Sequence, residues 1–196
     1  MKIKNLITLT LLFIFTINQT TYAKKPVEFI KEITTQASNI LSGKDTKDNK
    51  ISKLKEIAEK NVDIKALGFY TLGQHRKNIT DDQKKVYNDL FKQYFLKSFS
   101  NRLVDYTDPK IEVNSQEKLS DKYTIVKSTL VATEKRPEVK LDWRVYTKNP
   151  TKPLIRDLII EGLSLARTQK EEFNSIIQSN NNDIEALFNN LRKFTE

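Results

Sequence analysis

Residues 139–146 read VKLDWRVY. Val139, Leu141, Trp143 and Val145 alternate with Lys140, Asp142, Arg144 and Tyr146, the period of two that a strand shows when one face is buried and the other meets water. Neighbouring segments extend the pattern. Upstream, Ile111 and Val113 open one strand, and Tyr123, Ile125 and Val126 begin another that runs to about Ala132. Downstream, a Lys148-Asn149-Pro150-Thr151 turn leads into a fourth strand over LIRDLII, residues 154–160.

Ahead of Asp108-Pro109 the apolar spacing is helical. Val27, Ile30, Ile33, Ala37, Ile40 and Leu41 form a stripe between Pro26, suited to a first turn, and Gly43, suited to a stop. Ile51, Leu54, Ile57 and Ala58 form a second stripe that begins near Asn49 to Ser52, behind a charged loop. Residues 62–73 (VDIKALGFYTLG) read as a short apolar helix that Asp63 can cap and Gly73 can close. Thr80-Asp81-Asp82-Gln83 matches a capping box, and the helix behind it carries Val86, Tyr87, Leu90, Phe91, Tyr94, Phe95, Phe99 and Leu103. Helical spacing returns at Phe173, Ile176 and Ile177, and again from Asp183, a cap for Ile184, Leu187, Phe188, Leu191 and Phe194.

Helices, a meander of strands and more helices predict an α+β domain, with helices packed on one face of a roughly four-stranded antiparallel sheet. No repeat or linker divides residues 24–196, so they are read as one domain. The aromatic stripe from Val86 to Leu103 is expected to face Leu141, Trp143 and Val145 across a helix-on-sheet layer. Spacing alone makes such a layer ordinary core.

Residues 1–23 have a different character. Lys2 and Lys4 precede LITLTLLFIFTI, residues 6–17, and Thr21-Tyr22-Ala23 ends on the small residue a signal peptidase requires. The apolar run is too short for the ~20 residues that span a bilayer, so the segment reads as a cleavable secretory signal. Its removal leaves 173 residues with 32 basic and 25 acidic side chains, a charge of +7 where the full chain of 196 has +9. The mature protein is expected to be soluble and outside the cytoplasm.

The charge is a poor guide to function. Basic residues are 27 Lys to 7 Arg beside 16 Asn, a skew that AT-rich codons produce without selection for binding. The lysines are interleaved with Asp and Glu along the chain, whereas a nucleic-acid face concentrates them among aromatics. We therefore expect no nucleic-acid partner and retain a transient contact with anionic membrane surfaces. Zero cysteines exclude a disulfide framework, a thiolate metal site, a cysteine nucleophile and a lipidated N-terminal cysteine.

Catalytic motifs are sparse. His75 is the single histidine and has no Cys or second His to share a metal. Gly162-Leu163-Ser164 lacks the second glycine of a nucleophile elbow, and four glycines leave no phosphate-cradling loop. Asp81-Asp82 and Glu171-Glu172 read as helix-start carboxylates favoured by the dipole. Asp157 and Glu161, in or just after an apolar strand, read as structural hydrogen-bonding groups. An exported hydrolase built on His75, or on Asp157 and Glu161, is the rival. No catalytic residue, metal site or cofactor is assigned.

Two runs resemble the MlaC, or toluene-tolerance, family of periplasmic phospholipid-binding proteins. Val62-Asp63-Ile64 through Leu72-Gly73, then Arg76 or Lys77, Thr80 and Gln83, is similar to the family's "VDF…LG…R…(T/S)PEQ" run before a long aromatic helix. Arg156 to Leu165 (RDLIIEGLSL) is similar to "YDVVIEGVSLV", followed at the family's distance by Phe173 and Ile176-Ile177. The likeness covers about residues 26–194. It departs where Thr168-Gln169-Lys170 replaces an Asn-Tyr-Arg triplet and Asp81 replaces the Pro of PEQ.

The resemblance implies a non-enzymatic periplasmic carrier with an apolar cavity between helices and sheet. It would shuttle phospholipid between an outer-membrane lipoprotein complex and an inner-membrane ABC transporter complex, maintaining outer-membrane lipid asymmetry, as a freely diffusing monomer. Within that cavity, periodicity nominates Phe69, Leu72, Phe91, Phe95 and Phe99 from helices and Leu141, Trp143, Val145 and Ile159 from strands as lining. An exported α+β adaptor without a cavity is the other reading of the same stripe.

Overall fold

The computed structural model describes residues 25–196, and the expected signal, residues 1–23, lies outside the described residues. The elements are α1 (Pro26–Ser42), α2 (Lys47–Asn61), α3 (Ile64–Thr71), a 3-10 turn (Gly73–Lys77), α4 (Asp81–Leu103), β1 (Ile111–Ser120), β2 (Tyr123–Leu130), β3 (Val139–Tyr146), β4 (Leu154–Ile160), β5 (Leu163–Ser164), α5 (Leu165–Ser179) and α6 (Ile184–Thr195).

The helix ends follow side-chain chemistry. Asp63 accepts from the Ala66 amide, and Thr80 and Gln83 close both bonds of the capping box at 3.2 and 3.0 Å. Asp183 accepts from the Glu185 amide ahead of α6. Gly73 takes φ +56° just past the end of α3, a left-handed value that costs glycine least. Two helix starts are earlier than spacing predicts. Thr46 accepts from the Asn49 amide, so α2 begins at Lys47. Ser164 accepts from the Arg167 amide, so α5 begins at Leu165, directly after β5. Glu171 and Glu172, expected at a helix start, therefore lie inside α5 and take no part in its N-terminal dipole.

The sheet is an antiparallel meander in the order β1-β2-β3-β4-β5. It has five strands because Glu161 and Gly162, at φ +49° and +82°, turn the chain back within two residues and set Leu163 opposite Ile160. Cross-strand register places Val126, Trp143 and Leu158 in one row and Ser128, Leu141 and Ile160 in the next, all on one face. A bulge at Arg156 interrupts β4, since Arg144 pairs with Asp157 and Val145 with Ile155.

Two apolar clusters result. Phe29, Ile30 and Ile33 of α1 and Ile57 of α2 pack with Val126, Val145 and Ile155. Leu72, Ile79, Tyr87, Phe91, Phe173, Ile177, Leu187, Phe188 and Leu191 form a second cluster made by helices. The expectation that the α4 stripe faces β3 is thus corrected. The sheet face is covered by α1, and α4 packs on α2, α3 and α6. Periodicity says which side of a helix turns inward, but not which element it meets.

A close approach binds α3 to α4. A Cβ on Gly68 would stand 2.8 Å from Cδ1 of Phe91, a ring only 2% exposed and unable to move aside. The Tyr87 hydroxyl donates to the Gly68 carbonyl at 3.1 Å and meets the Thr71 hydroxyl at 2.9 Å, and burial pushes its phenol well above the ordinary range. Gly68→Ala should therefore destabilise by about 1–2 kcal/mol in urea unfolding, because overpacking outweighs the ~1 kcal/mol that alanine gains in a helix. An unchanged or raised midpoint would show that the helices can part.

Candidate functional site

The helical and sheet cores meet along β4, and the ties there are polar. Asp63 at the start of α3 pairs with Arg156, whose Nε and Nη2 stand 2.9 and 2.7 Å from its carboxylate. The Arg156 guanidinium also donates to Tyr123 Oη and lies 3.6 Å over the Tyr146 ring. Burial opposes its charge, but Tyr123 and Asp63 outweigh that opposition and its pKa is raised. One residue on, the Asp157 side chain is 1% exposed; it accepts from Ser164 Oγ at 2.7 Å and the Ala166 amide at 3.0 Å, with Arg144 at 3.3 Å. The amide Asp63 N–H donates to the Ile155 carbonyl at 2.9 Å.

The nine predicted lining residues divide between the cores. Leu72 and Phe91 are buried in the helical cluster, with Phe69 and Phe95 half-buried against it. Phe99 is half-buried and stacks on Phe95 at 5.7 Å. Val145 is buried in the sheet cluster, Trp143 is half-buried against it, and Leu141 is buried on the same sheet face. Ile159 requires correction, because its pairing with Asp142 puts it on the opposite face from Trp143. The run LIRDLII does not reveal its parity, which only the pairing of Asp157 with Arg144 fixes.

The register supplies the two residues that spacing missed. Leu158 and Ile160 share the Trp143 face, and all three are half-buried. With α1 lying over β1 and β2, the β3–β4 end of this face forms an apolar shelf. The Trp143 indole N–H is already satisfied by Ser128 Oγ at 2.9 Å, and that hydroxyl donates to the Leu141 carbonyl. What Trp143 offers beyond that bond is ring surface. Phe95 and Phe99 add two further half-buried rings on α4.

Clefts on the described surface include two that border these elements. One of about 350 Å³ runs between α1 and α2, bordered by Asn39, Ile40, Lys53 and Ile57. One of about 390 Å³ lies on the outer sheet face, bordered by Lys127, Thr129, Asp142 and Ile159. The groups of the rival hydrolase have structural partners: His75 Nε2 meets Asn174 Oδ1 at 2.9 Å, Asp157 ties β4 to α5, and Glu161 accepts from the Lys140 amide. No group of three or more His, Cys, Asp or Glu among the described residues is placed to hold a metal. No helix among them is long and apolar enough to cross a membrane.

A solved structure described as the phospholipid-binding protein from Ralstonia solanacearum, in complex with a phospholipid, is similar in fold. Its TM-score is 0.73 and its identity 20%, over 88% of this chain and 97% of that one. The family profile described as "MlaC protein" matches residues 31–193. With helices and meander in that order and the match spanning nearly the whole described domain, the chain belongs to the MlaC family.

Proposed function

We propose that the protein is a non-enzymatic phospholipid carrier, and the observation that supports this most is the division of its apolar interior. A domain of this size ordinarily has one contiguous core. Here an α1–sheet core and a helical core are joined by polar ties along β4, with Trp143 and Phe95 half-buried at their margins and Leu158, Ile160 and Phe99 half-buried outside both buried clusters. A boundary of that kind can part around an acyl chain without unmaking either core. The phospholipid held by the Ralstonia protein supports the same cargo.

Enclosure is what such a carrier must provide. Two acyl chains hold roughly 30 methylenes, and at ~0.8 kcal/mol each their exposure to water costs on the order of 20 kcal/mol. In this reading the chains lie on the shelf, and the headgroup stays near solvent. Export through the N-terminal signal would place the carrier in the periplasm, between an outer-membrane lipoprotein complex and an inner-membrane ABC transporter complex.

Solvent extraction of the purified mature protein, followed by mass spectrometry, should release phospholipid in near-stoichiometric amount. The emptied protein should take labelled phospholipid from vesicles. Protein that is lipid-free and takes up nothing is an adaptor without a cavity, and the carrier reading is then abandoned.

A further inference from the structure

A separate surface lies at one end of the sheet. Lys118 pairs with Thr124 and Ser120 with Tyr123, which leaves Leu119 unpaired in a bulge two residues before the β1–β2 turn. Bulges re-aim side chains, and this one holds Leu119 at 56% exposure, among the most exposed large apolar residues described. The β3–β4 loop stands beside the turn, since the Thr147 amide donates to the Lys122 carbonyl at 2.9 Å.

Both loops are built rather than loose. Lys122 N–H donates to Ser120 Oγ at 3.2 Å, and the Asn149 side chain accepts from the Thr151 amide and hydroxyl at 3.2 and 2.8 Å. The Lys152 amide closes that turn on the Asn149 carbonyl at 3.1 Å. Residues 118–123 and 147–153 hold four lysines, Lys118, Lys122, Lys148 and Lys152, and one carboxylate, Asp121, which pairs with Lys118 at 2.8 Å. The tip therefore presents an exposed leucine and, beyond the Lys118–Asp121 pair, three further exposed lysines.

We propose that this tip docks the protein on an anionic lipid surface. Leu119 enters the headgroup boundary, and Lys122, Lys148 and Lys152 meet lipid phosphates. Charge complementarity selects the partner, because a net charge of +3 over these thirteen residues suits a negative bilayer surface. One leucine with a few lysines gives weak, reversible attachment, as a carrier that must leave again requires.

The test is flotation of the mature protein with vesicles of phosphatidylglycerol and phosphatidylcholine in equal parts, at low salt. The parent should float with them and not with pure phosphatidylcholine, and high salt should release it. Lys122→Glu/Lys148→Glu/Lys152→Glu should lower partitioning about tenfold or more, and Leu119→Asp should also lower it. Lys44→Glu/Lys135→Glu/Lys193→Glu, an equal charge change at exposed sites elsewhere, should retain most of the binding. Equal loss in the two triple variants, no effect of Leu119→Asp, or no flotation of the parent would each overturn the proposal. Bound phospholipid, measured on every variant, should persist in the tip variants. Flotation with no bound lipid would sink the carrier reading alone, and bound lipid without flotation would sink the docking tip alone.

Discussion

Phe91→Ala should lower the melting temperature of the delipidated protein by about 10 °C, a loss of about 3–5 kcal/mol. Phe91 is 2% exposed, and four rings surround it: Tyr87 at 5.7 Å, Phe95 and Phe173 at 6.2 Å, and Tyr94 at 6.3 Å between centroids. Removing it leaves a cavity that the backbone beside Gly68 cannot fill. The lipid-free state is the informative one. If Phe91 lined a lipid-filled chamber, truncation would cost lipid uptake and leave the empty protein nearly as stable. Phe95, half-buried at the margin of the same cluster, should show the opposite balance, with about 1–2 kcal/mol lost on truncation to alanine and a clear fall in uptake. Matching stability losses at the two positions would refute the distinction between core and margin.

Asp157→Ala should destabilise by about 3 kcal/mol. The substitution leaves the Ala166 amide and the Ser164 hydroxyl without an acceptor in a buried place and removes the partner of Arg144. Arg144 is one-third exposed, so water screens its share and most of the loss comes from the two hydrogen bonds at the start of α5. Asp157→Asn keeps an acceptor for Ala166 and should recover more than half of the loss in urea titrations. If alanine and asparagine fall equally, the charge on Arg144 matters more than the cap. Solvent accessibility in α5, read by hydrogen exchange, should rise in the alanine variant before that in α1 does.

Most elements were legible because their signals are local. The alternation in VKLDWRVY, the capping box at Thr80 and Gln83 and the caps at Asp63 and Asp183 depend on neighbours within a few residues, and each stands where its pattern puts it. The start of α5 was not legible, since Leu163-Ser164-Leu165 reads as a continuation of LIRDLII and only the Glu161-Gly162 turn separates them. The site was legible in part. Trp143 and Phe95, nominated by spacing as lining, are half-buried against the sheet and helical clusters, but the α4 stripe was assigned to the wrong partner. Partner choice is a long-range matter: α1 had already claimed the sheet. Ile159 was misplaced because one bulged residue, Arg156, shifts every side chain behind it to the other face. No pattern within β4 announces that bulge, whose Arg156 meets Asp63 and Tyr146, both distant in sequence.

The strand order also bears on how the chain reaches its fold. Since β1 to β5 pair in the order in which they occur, each pairing closes only a short loop, and closure entropy grows with loop length. The sheet can therefore zip up from local contacts. α1 can pack early on α2, but its contacts with the sheet wait until β1 and β2 exist, with a sequence separation of 89 between Val27 and its partner Gln116. Contacts of such separation form late and slow folding. Under the export proposed above, with the N-terminus leading, this order of events would leave the leading segment short of its sheet contacts during passage, and the sheet core would close only after the strands had followed it across.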